Sequence, residues 1–406
     1  MKIIGSPRRS ERSSHPGLGQ GQGDGDVVKK LDNGICFCLC TGSPVNCMKF
    51  FLCHVSDNVT EEELRQQPLR KRSPPDADMN PFGSIQLGCG TSYVSVGSMV
   101  YCIGGQKGDA NTGVERGNEV RKFDTEISNF EVDRMSPPMN EGRCFAAVVA
   151  IGKTIYVFGG LSPTATEDSL WAECLNTDMP IAMQKWMPLK QPPFRLELEI
   201  STFAIPYKNG SILIANEDIS KGALLYNVCD GIWMKYEYPF MYSHVSRPVS
   251  VVCEKTVYWI DKFNMFAYDY ETHVLYSGLL RELLYEKDFT GSTLKGPYLM
   301  HLKDDVFCCF ITYVMYHHRD PTPTKVVQCT TFQVTKHSSG SARGDLRLHA
   351  TSIKSYKCGT LFTLLGVVPI QTRICLSNTE KRRNGAKKKK WLKEKEMVQS
   401  HAAIPA

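Results

Sequence analysis

No stretch of this 406-residue sequence approaches the roughly 18–20 consecutive apolar residues that carry a helix across a bilayer. The longest candidate, residues 361–370, is about half that length, which excludes a spanning helix in these residues. The N-terminal MKIIGSPRRSERSSHPG is charged but lacks an apolar core, so it is not expected to act as a secretory signal. Without secretion, the sixteen cysteines are read as reduced thiols, mostly small buried hydrophobes. The expected location is cytoplasmic or nuclear. Charge of one sign is also scarce where it would matter. The net charge is +6, yet residues 380–396 alone hold nine basic against three acidic residues. Residues 1–30 hold six against three, leaving residues 31–379 with 33 basic and 36 acidic. A body with that balance excludes a uniformly basic nucleic-acid-binding surface.

The usual marks of catalysis and cofactor binding are missing as well. The G-x-G spacing in GLGQGQGDG (17–25) neither follows a strand nor opens a helix, so it reads as a flexible linker. Gly152-Lys153-Thr154 ends like a phosphate loop, but Ala147 stands where the required glycine would be, and the residues fall in a hairpin turn. Cys36, Cys38 and Cys40 alternate and would share one strand face, with Cys47, Cys53 and His54 nearby. The Cys-x₂₋₄-Cys knuckles of zinc ribbons are absent, so these read as core cysteines. No H-E-x-x-H helix and no G-x-S-x-G elbow occur. His317-His318 and Arg343-Gly344-Asp345 read as polar loop residues. Asn58 and Asn209 have glycan-acceptor spacing in the wrong compartment. No cofactor, metal site or catalytic residue is expected.

What the sequence does contain is short apolar runs of strand length, separated by Gly, Asn, Asp and Pro, from residue 88 onward. Two segments align: TSYVSVGSMVYCIGG (91–105) and FAAVVAIGKTIYVFGG (145–160). Each is a strand, a tight turn, a second strand and a double glycine, and the pairs Gly104-Gly105 and Gly159-Gly160 are 55 residues apart. Weaker copies begin at 202 (TFAIPYKNGSILIAN), 248 (PVSVVCEKTVYWID) and 298 (YLMHLKDDVFCCF). Five units of about four strands each, at spacings of roughly 45–55 residues, have the size of propeller blades.

These units resemble kelch repeats, and the run is most similar to the kelch-repeat proteins abundant in plants. In the second unit the resemblance rests on Arg143, Gly159, Gly160, Trp171, Trp186 and Pro192-Pro193. The fold class expected is all-β: a kelch-type β-propeller with five recognisable four-stranded blades over residues 88–370. A sixth blade could be supplied jointly by runs 35–40 and 48–55 and by GTLFTLLGVVPI (359–370), closing the ring with strands from both termini. Residues 1–30 and 371–406 are expected to be disordered. Residues 31–87 read as a partial blade followed by a charged, Pro-rich loop.

The resemblance implies a non-enzymatic protein-interaction module. Its partner would meet loops following the second strands, here residues 106–118, 161–168, 217–222, 262–264 and 316–324. The candidate contact residues are Lys107, Asp109, Glu115, Arg116, Arg143, Glu167, Asp168, Lys262 and Arg319. Many relatives of this kind carry an F-box and serve ubiquitin ligases as substrate receptors. No Leu-rich helical segment of that size occurs in residues 1–87, which leaves association with ligase subunits as an alternative. A galactose-oxidase-like copper enzyme shares the same propeller, but no two-tyrosine, two-histidine constellation can be matched here. Lys381, Arg382 and Arg383 with Lys387, Lys388, Lys389 and Lys390 are similar to a bipartite nuclear-import signal, implying importin as a partner; nonspecific binding to RNA or anionic lipid and an inert solvated tail are the alternatives.

Overall fold

The computed structural model describes residues 34–41, 47–54, 77–78, 81–107, 115–127, 134–162, 164–196, 202–216, 222–236, 250–261, 264–280, 297–317, 320–338, 342–358 and 362–370. They belong to one compact unit, Leu31–Ile374; the terminal segments Met1–Lys30 and Cys375–Ala406, with the import-signal lysines and arginines, lie outside them.

The described residues are all-β apart from two single 3-10 turns at Ile181–Met183 and Lys208–Gly210. The first strands are β1 (Gly34–Thr41), β2 (Cys47–His54), β3 (Ala77–Asp78) and β4 (Gly83–Gln86). Then come β5 (Ser92–Val96), β6 (Met99–Ile103), β7 (Gln106–Lys107), β8 (Glu115–Arg116), β9 (Val120–Asp124) and β10 (Arg134–Ser136). The second repeat supplies β11 (Ala147–Ile151), β12 (Thr154–Phe158), β13 (Ala172–Asn176) and β14 (Trp186–Pro188), and the third β15 (Thr202–Tyr207), β16 (Ser211–Asn216), β17 (Ala223–Asn227) and β18 (Ile232–Tyr236). The fourth gives β19 (Ser250–Cys253), β20 (Thr256–Asp261), β21 (Asn264–Asp269) and β22 (Val274–Leu279). The last strands are β23 (Tyr298–Lys303), β24 (Val306–His317), β25 (Asp320–Ser338), β26 (Arg343–Cys358) and β27 (Phe362–Ile370).

Three repeats form separate four-stranded antiparallel sheets, ordered β10-β9-β6-β5, β11-β12-β13-β14 and β15-β16-β17-β18. The fourth and fifth runs share one nine-stranded sheet, because β22 pairs in parallel with β26 at Leu275↔Arg343 through Ser277↔Asp345. A further four-stranded sheet has the order β27-β1-β2-β4. It joins the two ends of the unit directly, from Gly34↔Ile370 to Thr41↔Phe362. The edge strands neighbour one another in series: β5 lies by β11, β11 by β15, β15 by β19, β19 by β23, β23 by β27, and β27 by β5. This arrangement is consistent with a propeller.

Strand periodicity explains how the sheets pack. Side chains alternate between the two faces of a strand, and a sheet between two neighbours must be apolar on both. On β6, Val100 and Cys102 pack with Met48, Phe50 and Ile85 of the terminal sheet. Tyr101 and Ile103 face the other way, onto Ile155, Val157 and Trp186. On β12, Tyr156 and Phe158 meet Ile212, Ile214 and Tyr226 of the next sheet, together with Trp171. On β16, Leu213 and Ala215 pack with Val257. Middle strands are therefore near-continuous apolar runs (MVYCI, TIYVF, SILIAN), whereas outer β18 has only exposed and half-buried residues.

Three boundaries differ from the sequence reading. Residues 31–87 were expected to be a partial blade followed by a loop, with the repeats beginning at 88. In the structure β3 pairs with β26, and β4 pairs with β2 at Cys47↔Gln86 to Phe50↔Gly83. Most of the expected loop 316–324 is strand, because β24 continues through His317 and β25 begins at Asp320. The expected loop 106–118 contains a small hairpin, β7 with β8.

Candidate interaction face

Consecutive strands of each sheet reverse direction, so the turns joining first to second strands lie at one set of strand ends. The loops joining second to third strands, and one sheet to the next, lie at the other. The double glycines begin this second set. Gly104 and Gly105 have φ of 64° and 109°, and Gly159 and Gly160 have 62° and 67°, values that an L side chain rarely adopts. Space is equally restrictive, since a Cβ on Gly104 would stand 2.3 Å from the Arg143 carbonyl oxygen.

The reason for the tight fit is a belt of backbone hydrogen bonds between loops. Gly105 N donates to Arg143 O at 2.8 Å, Arg143 N to Gly117 O at 2.9 Å, and Gly117 N to Gly105 O at 2.7 Å. Cys144 N then donates to Gly160 O at 2.8 Å, and Gly159 N to Trp171 O at 2.8 Å. The loop after β6, the segment entering β11 and the loop after β12 are thereby fastened together.

Arg143 is the centre of this belt, and here a sequence expectation is corrected. Its side chain has 0% exposure, so it offers nothing to a partner. Every guanidinium nitrogen is engaged. Nε donates to Glu173 Oε1 at 3.0 Å, and Nη2 lies 2.9 Å from the same oxygen as an ion pair. Nη1 donates to Gly159 O at 2.6 Å and Trp171 O at 3.0 Å, and Nη2 also to Leu170 O at 2.6 Å. Glu173 Oε2 accepts from Asn140 N and Nδ2 at 2.9 and 2.8 Å. Burial pushes the Arg143 pKa down and Glu173 opposes that shift; guanidinium basicity is high enough to keep the charge.

Above the belt lie the other expected contact residues. Lys107, half-exposed, pairs with Glu119 at 2.9 Å, and Arg121 approaches Glu119 at 3.5 Å. The Lys107 hydrogen bond holds the Glu119 carboxyl below its ordinary range. Glu115 is exposed, whereas Arg116 leans onto the next sheet and donates to Gly160 O at 2.7 Å. Glu167 and Asp168 are exposed on the loop after β12. Arg195 supports that loop, donating to Thr166 O at 2.7 Å, Ser169 O at 2.6 Å and Glu167 O. Asp109, Lys262 and Arg319 lie outside the described residues.

The structure thus brings Lys107, Glu115 and Arg116 together on one loop and ties them to the loop bearing Glu167 and Asp168. Glu119, Arg121, Glu173 and Arg195 belong to the same assembly but were not singled out from sequence. For Arg195 a signal existed, since it directly follows the Pro192-Pro193-Phe194 turn that ends the second repeat. The exposed groups carry both signs on a fixed backbone, which suits an ionic and hydrogen-bonded contact with a complementary surface. No protein-family model matches the chain, and no curated protein matches it in sequence. Among the described residues, no helix is long and apolar enough to cross a membrane.

Proposed function

We propose that the chain is a six-bladed kelch-type propeller that works as a non-enzymatic protein-interaction module. Its partner binds the face bearing Lys107, Glu115, Glu119, Glu167 and Asp168. The observation that carries this reading is the separation of roles within the loops. Backbone, glycines and the Arg143–Glu173 pair are spent on holding the loops to one another. Charged side chains of both signs project from that support. Rigid loops lose little freedom on docking, and their charges select a partner by complementarity. The edge-strand series that returns from β27 to β5 supports counting the terminal sheet as the closing blade.

The test is affinity purification from native tissue with wild type and two charge-reversed chains, Lys107→Glu and the double variant Glu167→Lys/Asp168→Lys. Partners retained by wild type and lost from the reversed chains, at equal urea midpoints, are the expected result. An identical partner set on all three chains would overturn the assignment of this face. Ligase subunits among the lost partners would identify the module as a substrate receptor.

A further inference from the structure

At the opposite strand ends, two hairpin turns lie side by side. One joins β19 to β20 and carries Cys253 and Glu254; the other joins β23 to β24 and carries Asp304 and Asp305. Cys253 Sγ stands 3.2 Å from His301 Nε2. The Asp304 carbonyl oxygen is 3.5 Å from that sulfur and 2.8 Å from that nitrogen. A soft sulfur, a borderline nitrogen and a hard oxygen therefore converge from two neighbouring hairpins.

Local backbone features produce this meeting. The β23–β24 pairing runs to His301↔Phe307 and then jumps to Lys303↔Val306, leaving Leu302 as a bulge. A bulge bends the strand and redirects the neighbouring side chain. Both turns are made by acidic residues in the left-handed region, Glu254 at φ 50° and Asp304 at φ 46°. The corresponding turns of the first two repeats use Gly97 and Gly152. A non-glycine residue there costs on the order of 1–2 kcal/mol. Burial raises the Cys253 thiol most; the Glu254, Asp304 and Asp305 carboxylates add to that shift, and the single Lys336 ammonium opposes it. Such a field works against an unaccompanied thiolate and in favour of a cation, so it suits a metal ligand better than a nucleophile.

We propose that Cys253 and His301 bind a thiophilic d10 cation of the Zn(II) type, with Asp304 supplying an oxygen ligand. On binding, the Cys253 S–H bond breaks, its proton leaves to solvent, and the sulfur and the His301 Nε2 lone pair bond the ion. Tetrahedral Zn(II), with bonds of about 2.3 Å to sulfur and about 2.05 Å to nitrogen, separates the two by about 3.6 Å. The hairpins open by about 0.4 Å to reach that spacing, and the Asp304 carbonyl oxygen, 2.8 Å from His301 Nε2, moves back by about 0.6 Å to take its own tetrahedral position. Among the described residues no three His, Cys, Asp or Glu side chains converge. The site therefore has two side-chain ligands plus an Asp304 oxygen, and solvent completes it, as in open, exchangeable zinc sites rather than closed structural ones.

The probe is Co(II), titrated into the reduced full-length chain, with thiolate-to-cobalt charge transfer in the near ultraviolet as the readout. Because other cysteines can take up cobalt, the measured quantity is the difference between chains. Cys253→Ser should remove one equivalent of binding with its band and one released proton. His301→Gln should weaken that equivalent by at least the roughly 10–100-fold that losing even a supporting group costs. Unchanged stoichiometry, band and affinity in both variants would overturn the proposal. Should either variant unfold, the wild-type chain still decides the matter. Zn(II) should shield Cys253 from iodoacetamide, read by peptide mass spectrometry, and equal alkylation with and without Zn(II) would refute the site.

Discussion

The buried pair Arg143–Glu173 offers a sharp test of how the loops are held. Replacing Arg143 with Met keeps most of the side-chain length but removes five donors. Glu173 then keeps only Asn140 as partner, while the Gly159, Leu170 and Trp171 carbonyls each lose one hydrogen bond. An uncompensated buried charge costs about 3–5 kcal/mol, and the Gly159 and Leu170 carbonyls about 1–3 kcal/mol each before relaxation, while the Trp171 carbonyl keeps its bond from Gly159 N. A loss of at least ~4 kcal/mol is expected for Arg143→Met. The double variant Arg143→Met/Glu173→Leu removes both charges and should lose less than the single one, because the stranded carboxylate is gone. Equilibrium urea unfolding followed by tryptophan fluorescence measures both, with Trp171 beside the pair as an internal reporter. A cost below about 1 kcal/mol for Arg143→Met, or a double variant as poor as the summed singles, would refute the reasoning.

Three further outcomes follow from the same geometry. Gly142→Ala should be far more disruptive than Gly97→Ala, because its Cβ would stand 2.0 Å from the Arg116 carbonyl oxygen while nothing lies within 4 Å of Gly97. The Gly97 change should cost only about 1 kcal/mol through its positive φ, and comparable urea midpoints would contradict this. The Glu119 carboxyl is held low in the folded chain, so its contribution is present above the ordinary glutamate value of 4.5 and is lost as pH falls through the folded pKa. Lys107→Ala should flatten that acid limb of a stability–pH curve by less than about 1 kcal/mol, the pair being exposed, and 1 M salt should mimic the mutation. Thiol labelling of the native chain should modify Cys89 and Cys229, which are exposed, ahead of buried Cys144, pushed up to about 11, and Cys309, raised by burial. Peptide mapping that found Cys309 labelled first would require local opening of β24.

Much of the architecture was legible because strands advertise themselves by alternation and turns by glycine. The aligned segments 91–105 and 145–160 became β5–β6 and β11–β12, and the runs near both ends became β1, β2 and β27 in one sheet. Pairing over long sequence distances was harder to read. The segment GSIQ is short and half polar, and it becomes β4 only because β2 offers it an edge. The start of β25, with prolines 321 and 323, fell within the expected loop 316–324. They are accommodated where the β24–β25 register slips between Met315 and His317, at a position that demands fewer ladder hydrogen bonds. The candidate face was legible as loops, but its internal support was not. Arg143 reads as an ordinary polar residue near a turn, and only its 30-residue reach to Glu173 shows that it belongs to the interior.

The pairing of Gly34–Thr41 with Phe362–Ile370 bears on how the chain is made. A ribosome delivers the three N-terminal strands of that sheet long before the fourth exists. Throughout synthesis β1 waits with an unsatisfied edge, exposed to other nascent chains. Completion of the unit is then a late event, slow for want of local contacts. A stop codon near residue 360 would leave a protein with nearly all its sheets and no means of sealing them.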